Sequence, residues 1–177
     1  MTSILFSFAF LIFCSNDDGS GQNARIPIPC PEHHIKDSSD ILKFDSAILY
    51  TGWYYVGDSL NGYKRQLDRS DETYYIDPKP IVTAKNFKRL EIYESGLPGK
   101  KYLGLGMRLD KKGTESWAHA TDRSYKTHIK LAFILDNRLL YVAQAETEIT
   151  GGVTALNRGI YTREELENFK TIIQSEK

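Results

Sequence analysis

The sequence predicts an α+β fold in which a mainly antiparallel sheet carries two amphipathic helices on one face. Runs rich in aromatic and β-branched residues alternate with clusters of Gly, Asn, Asp and Pro, a pattern typical of short strands. Two later segments repeat apolar residues at helical spacings of three and four. The length of 177 residues suits one such domain together with a leader and a tail.

The composition allows a hydrophobic core and gives the chain no net charge. Hydrophobic residues make up 41% of the chain and aromatic residues 12%. The 23 Lys and Arg residues are balanced by 23 Asp and Glu residues. A neutral chain lacks the broad basic surface that holds phosphates, which argues against general nucleic-acid binding. We interpret the local basic run of Lys85, Lys88 and Arg89 as a solvated face.

Residues 1–14 are predicted to form a leader. Residues 3–13 (SILFSFAFLIF) are almost wholly apolar and uncharged, too short to span a bilayer but suited to the apolar region of a signal peptide. Cys14 and then an acidic, Gly- and Ser-containing run follow, an arrangement that resembles a Bacteroidetes-type bacterial lipoprotein. The resemblance implies lipidation of Cys14 and an outer-membrane position in the cell envelope, on the periplasmic or the surface side. A plain signal peptide, which gives a secreted soluble protein, is the alternative.

Residues 15–46 are predicted to be a flexible linker rich in Pro, Gly and Ser. Within it, Cys30, His33 and His34 lie close enough in sequence to supply zinc or copper ligands. Their spacing matches no closed metal site, so we predict no cofactor and favour a plain linker. An envelope metal-binding protein or enzyme that uses these three residues is the alternative.

Residues 47–177 are predicted to form the domain, which begins with strands. Aromatic and β-branched runs indicate each strand, and Gly, Pro and Asn-Gly clusters separate them. A helical turn is predicted at residues 86–90 and a loop at 95–99. The predicted strands lie at residues 48–56, 73–76, 79–83, 102–109, 130–135, 139–145 and 153–156, with a tight turn at 136–138.

Each of the two predicted helices has a single apolar stripe. Thr114 is predicted to cap the first helix, whose stripe consists of Trp117, Ala118, Thr121 and Tyr125. The second begins at a capping box, in which the Thr162 hydroxyl and the Glu165 carboxylate each satisfy a free backbone donor. Its stripe consists of Leu166, Phe169, Ile172 and Ile173.

The aromatic residues Trp53, Tyr54, Tyr55, Tyr74 and Tyr75 form the candidate binding surface. Alternation along two strands turns some of these rings outward, and exposed aromatic rings beside an edge strand suit the capture of an extended peptide. Such a cluster is equally typical of a hydrophobic core, so both interpretations stay open here.

No grouping of residues predicts catalysis. The acidic residues Asp68, Asp71 and Glu72 alternate with Arg65 and Arg69, which indicates a loop held by salt bridges rather than a pair of catalytic carboxylates.

Five segments occur in a distinctive order, namely residues 80–83 (PIVT), 109–113 (LDKKG), 130–142 (KLAFILDNRLLYV), 149–156 (ITGGVTAL) and 161–166 (YTREEL). Together they resemble the head subdomain of the first periplasmic region, P1, of SecD/SecDF. The resemblance covers about residues 78–175 and implies a ferredoxin-like head that contacts exported polypeptide and has no catalytic activity.

The predicted function is therefore that of a non-catalytic, membrane-tethered binding or adaptor module in the cell envelope. Its expected partner is exported polypeptide or an envelope protein complex, and not nucleic acid. A purely structural lipoprotein, whose head only packs against neighbouring molecules, is a further alternative.

Overall fold

The computed structural model describes residues 47–177, which contain eight strands and two α-helices. The predicted leader with Cys14 and the linker with Cys30, His33 and His34 lie outside the described residues. The strands are β1 (Gly52–Val56), β2 (Tyr63–Gln66), β3 (Thr73–Thr83), β4 (Phe87–Leu97), β5 (Lys100–Leu109), β6 (Leu131–Leu135), β7 (Arg138–Ala143) and β8 (Val153–Leu156). The helices are α1 (Lys111–Thr127) and α2 (Arg163–Ser175), and a 3₁₀ turn occupies Ala84–Asn86.

The predicted α+β class with antiparallel pairing is confirmed, and the strands divide between two sheets. One sheet has the order β2-β3-β1-β6-β7 and the other the order β4-β5-β8. Every named strand pair is antiparallel. A parallel bridge joins Leu67, which follows β2, to Leu139 in β7, so the larger sheet curls until its two edges meet at one end. The strands are thus distributed differently from the single sheet of a ferredoxin-like head.

Two hydrophobic cores form on opposite faces of the larger sheet. Successive side chains of a strand point to opposite faces, so Trp53 enters the main core and Tyr54 enters the small core. The main core also receives apolar side chains from β5 and both helices, including Met107, Trp117 and Phe169. Burial of each such side chain contributes about 1.5–3 kcal/mol, so these contacts fix how the helices and strands pack.

Strand β3 is longer than predicted, because it continues through the expected break at Asp77-Pro78. It pairs with β2 through Thr73–Ile76 and with β1 as far as Thr83. The pairing with β1 skips residues 77–79. This irregularity accommodates Pro78, which has no N–H to donate to the ladder.

The helical turn predicted at residues 86–90 is wrong. A single 3₁₀ turn ends at Asn86, and β4 begins at Phe87. Leu90 and Ile92 pack against the main core while β4 pairs along its length with β5. Tertiary pairing therefore overrides the local helical signal, and the predicted loop at 95–99 shrinks to the tip of this hairpin.

Helix α1 begins earlier than predicted. Asp110 is its N-cap and accepts a hydrogen bond of 2.6 Å from the Gly113 backbone N–H, whereas the Thr114 hydroxyl donates to the Asp110 carbonyl. The buried stripe contains Trp117, Thr121 and Ser124. Tyr125, predicted to be buried, is 51% exposed, because the helical repeat places Ser124 rather than Tyr125 on the buried face.

Two local predictions are confirmed. The capping box of α2 is present, with the Thr162 hydroxyl accepting from the Glu165 N–H and the Glu165 carboxylate accepting from the Thr162 N–H. The tight turn between β6 and β7 places Asp136 at φ 47° and Asn137 at φ 62°. Two consecutive positive φ values are typical of a type I′ hairpin turn, for which Asn is well suited.

Candidate functional site

The predicted aromatic surface does not form one patch. Trp53 is 2% exposed and Tyr54 is 1% exposed, so neither can present an outward ring, and their assignment to an exposed surface is corrected. Burial raises the pKa of Tyr54 to about 12, and its hydroxyl donates to the Tyr50 carbonyl at 2.8 Å. Both residues lie on β1, whose two faces are covered by the main core and the small core.

The other three predicted aromatic residues, Tyr55, Tyr74 and Tyr75, are half-buried. The guanidinium of Arg123 lies over the Tyr55 ring at 4.6 Å from its centroid. The Lys130 ammonium lies 5.3 Å from the centroid of the Tyr74 ring, whose hydroxyl donates to Glu72. The peptide-binding role of Tyr55, Tyr74 and Tyr75 stays a prediction.

A cleft of about 300 Å³ lies between the edge strands β7 and β8, and we call it the tryptophan cleft. Side chains from β7, β8, α1 and the connecting loop line it together with two tryptophans. Most of these groups are apolar or small. The lining residues are Trp53, Trp117, Thr121, Leu131, Tyr141, Ala143, Gln144, Ala145, Ile149, Val153, Thr154, Ala155 and Asn157.

Two tryptophan rings in contact give the cleft a rigid wall. Trp53 comes from β1 and Trp117 from α1, and their ring centroids are 4.9 Å apart with the planes tilted by 51°. Trp53 also packs 5.2 Å from Phe133 and 6.1 Å from Tyr141 between ring centroids. Aromatic pairs in tilted or edge-on geometry add about 0.5–1.5 kcal/mol beyond their buried area, so this wall is held firmly.

Both indole N–H groups are buried and have no hydrogen-bond partner among residues 47–177. Leaving a buried donor unpaired costs about 1–3 kcal/mol, so such groups are rare unless something else satisfies them. The rings of Trp53 and Trp117 line the cleft, whereas their two unsatisfied donors are buried beneath its surface.

Strand edges form two further walls of the cleft. The outer edge of β7 is occupied at its start, where the Leu139 carbonyl accepts from the Asp68 N–H and the Leu140 carbonyl accepts from Arg158 and Tyr161. Beyond Leu140, no strand among residues 47–177 pairs with this edge, and β8 pairs only with β5. Both strands thus present backbone edges without a strand partner.

Helix α1 holds the loop that closes one side of the cleft. The Ser124 hydroxyl accepts from the Ala145 N–H at 3.0 Å, and the Thr121 hydroxyl accepts from the Ile149 N–H at 2.9 Å. Both hydroxyls belong to fully buried residues, so the loop is fixed by bonds that water does not weaken. The cleft is a preformed feature of the fold.

A polar junction closes the other end of β7. The Asp68 carboxylate accepts from Arg138 at 2.7 Å and from the Tyr161 hydroxyl at 3.1 Å. Burial opposes ionisation of Asp68, but the hydrogen bonds from Arg138 and Tyr161 outweigh it and lower the pKa of the carboxyl. Burial and the neighbouring Asp68 raise the pKa of Tyr161 to about 12. Of the salt bridges predicted within this segment, Arg69 and Asp68 lie 3.7 Å apart. The closer partners of Asp68, Arg138 and Tyr161, were not predicted.

Sequence reasoning missed the cleft, although it singled out both tryptophans. Trp53 was assigned to an aromatic strand and Trp117 to a helix stripe, and only tertiary packing brings them together. Among the described residues, no group of three or more His, Cys, Asp or Glu side chains could hold a metal ion. In the same part of the chain, no helix has the length and apolar character needed to cross a membrane.

Solved structures that share this α+β architecture include two of SecDF. SecDF in a super-membrane-facing form aligns with 79% of this chain at a TM-score of 0.57 and 14% identity. A structure of SecDF described as a membrane component that enhances protein export aligns with 84% of this chain and 72% of its own, at a TM-score of 0.55 and 14% identity. No protein-family model and no curated protein matches the chain.

The described chain is thus an α+β domain with an open cleft between two sheet edges. Its fold is SecD-like, as the resemblance of five sequence segments implied. The aligned region spans 21% of the first SecDF chain, so the likeness concerns the fold of one part of a larger protein.

Proposed function

We propose that this protein is a non-catalytic binding module that holds an extended segment of another polypeptide in the tryptophan cleft. The observation that carries the proposal is the pair of unpartnered strand edges, on β7 and β8, that line one preformed apolar cleft. The SecD-like fold supports it, since one of the similar structures is of a component described as enhancing protein export.

Unpaired strand edges recognise backbone, so they accept many sequences. An extended segment in the cleft can exchange N–H and C=O hydrogen bonds with residues 141–143 or with β8, as in β-augmentation. Its apolar side chains meet small residues such as Ala143, which leave room for them.

We further propose that the module is tethered in the bacterial cell envelope through an acylated Cys14. The support is the apolar run of residues 3–13, the cysteine and the acidic run that follows. Mass spectrometry of the protein from membranes should find an acylated Cys14, and Cys14→Ser should move the protein to the soluble fraction. A signal peptide cleaved elsewhere, with an unmodified protein in the soluble fraction, would favour the secreted alternative.

The cleft is tested with two peptides of identical side chains, titrated by calorimetry into the full chain. One peptide has a normal backbone, with alternating Val and Thr to favour an extended form, and the other carries N-methyl groups on alternate amides. We expect the normal peptide to bind at least about tenfold more tightly, because methylation removes the donors that pair with a strand edge. Equal binding of both peptides would contradict pairing with a strand edge.

Ala143→Arg, which fills the cleft, should weaken binding of the normal peptide at least about tenfold, since its side chain occupies the space that peptide side chains need. Ser59→Arg, on an exposed loop outside the cleft lining, is the matched control and should leave binding unchanged. Circular dichroism of both variants serves to check that they are folded. Failure of the normal peptide to bind the parent chain would count against the proposal as a whole.

A further inference from the structure

One end of the domain collects basic side chains from three separate segments, and we call it the basic end. Its members are Lys85, Lys88, Arg89, Arg108, Lys111 and Lys112, all of them exposed. Arg89 and Arg108 are directly opposite each other in the register of β4 and β5. The Asp110 N–H donates to the Asn86 carbonyl at 2.8 Å, which brings the start of α1 beside the turn that carries Lys85.

Acidic side chains compensate only part of this charge, since Glu91, Asp110 and Glu115 lie among the six basic residues. Glu91 lies 3.5 Å from Arg89 and is the one ion-pair partner of the basic end among residues 47–177. The Asp110 carboxylate is engaged as the N-cap of α1, and Glu176 is engaged by Thr51, whose hydroxyl donates to it at 2.6 Å. Like charges placed opposite each other on neighbouring strands are destabilising, so the Arg89 and Arg108 pair needs another explanation than stability.

Exposed apolar side chains adjoin the basic end. Lys85 lines a groove of about 540 Å³ together with Ile48 and Tyr50, which are 75% and 72% exposed. Asp136 and Glu176 also line this groove and are its acidic members. The described chain enters the domain here, because Ile48 and Tyr50 lie within its first residues.

We propose that the basic end, together with Ile48 and Tyr50, docks onto an anionic phospholipid bilayer. Clustered Lys and Arg side chains are attracted to the negative surface potential of such a bilayer, and the opposed arginines gain counter-charges there. Tyrosine and a neighbouring aliphatic side chain suit the boundary between headgroups and acyl chains. The charge pattern selects lipid phosphates, and acylation of Cys14 is not required for the contact.

The test measures partition of the full chain, as Cys14→Ser, onto vesicles. Vesicles of phosphatidylcholine with about one third phosphatidylglycerol are compared with vesicles of phosphatidylcholine alone. The leader segment of residues 3–13 carries no charge, so its insertion does not depend on headgroup charge and the ratio of the two partition coefficients isolates the basic end. We expect a ratio of at least about tenfold at low salt, falling toward one as added salt screens the charges.

Two charge-reversal variants sharpen the test. Lys88→Glu with Arg108→Glu, and separately Lys111→Glu with Lys112→Glu, should each reduce the ratio about tenfold. The second variant stays folded because acidic residues in the first turn of a helix interact favourably with its dipole. Lys64→Glu with Lys79→Glu, two exposed lysines of the larger sheet, is the control and should leave the ratio unchanged.

Equal partition of the parent chain onto both kinds of vesicle overturns the proposal, as does an unchanged ratio in the Lys111 and Lys112 variant. Binding to poly-glutamate without binding to anionic vesicles would assign the basic end to an acidic protein partner and would also overturn it. Neither result bears on peptide binding in the tryptophan cleft, so the two proposals fail separately.

Discussion

The two halves of strand β7 show two different solutions for a sheet edge. At its start, the Leu139 and Leu140 carbonyls are bonded to Asp68, Arg158 and Tyr161, and the edge is closed. Further along, the edge has no strand partner among residues 47–177 and lines the tryptophan cleft beside two unpaired indole N–H groups. The closed half serves stability and the open half is available for binding, so removing polar groups should lower stability at the closed half and change it little at the open half.

Asp68→Ala should produce the largest loss of stability, about 2–3 kcal/mol. The substitution leaves Arg138 and the Tyr161 hydroxyl without their shared acceptor in a partly buried site. Urea unfolding followed by circular dichroism measures the change. Asp71→Ala, three residues along and exposed, is the control and should change stability by less than about 0.5 kcal/mol. Equal effects of the two substitutions would show that the junction does not hold β7.

Tyr161→Phe should cost about 1 kcal/mol, because it removes only the hydroxyl that donates to Asp68 and lies 3.2 Å from the Leu140 carbonyl. The ring remains packed against Phe169 at 5.1 Å between centroids, so the core is preserved. The same unfolding experiment applies. The double variant with Asp68→Ala should lose less stability than the sum of the two single losses, because the two residues share one hydrogen bond. Full additivity would contradict the shared bond.

Trp117→Phe should change stability by less than about 1 kcal/mol, although the residue is only 3% exposed. The smaller ring loses packing, but the substitution also removes a buried donor that has no acceptor, and the two effects offset each other. A loss above about 2 kcal/mol would contradict this offset, and with it the contrast between the two halves of β7.

The pH dependence of unfolding should carry the signature of the closed half. The lowered pKa of Asp68 gives a stability contribution that is fully present above its ordinary value of 3.8 and is lost as the pH falls through the lowered pKa. The pKa of Tyr161, raised from 10.0 to about 12, gives a contribution that is lost as the pH rises between those values, since the unfolded chain releases its proton first. Asp68→Asn should flatten the acid limb of the plot of unfolding free energy against pH. Tyr161→Phe should reduce the alkaline limb without abolishing it, because Tyr54 titrates there too.

Sequence reasoning succeeded where the signal is local. The capping box at Thr162 and the Asn137 turn depend on neighbouring residues, and both are present. It failed where distant segments decide the outcome. Strand β4 replaces a predicted helical turn because β5 pairs with it, and Asp68 finds Arg138 and Tyr161 only after β7 folds beside it.

The candidate site was beyond local signals for the same reason. Alternation along β1 indicates that Trp53 and Tyr54 face opposite ways, but it cannot say that both faces of the strand are covered. The contact between Trp53 and Trp117, and the meeting of β7 and β8 around them, arise from the packing of two sheets and a helix. The basic end is likewise assembled from three segments, of which sequence reasoning considered one.

Amide hydrogen exchange on the full chain, with and without the normal-backbone peptide, tests the central claim most directly. If the cleft accepts an added strand, the amides of residues 141–143 or of β8 that exchange fast in the free protein should slow at least about tenfold when the peptide binds. The amides of β2, at the far edge of the larger sheet, should keep their rates. Peptide binding that leaves the exchange of both β7 and β8 unchanged would contradict the account.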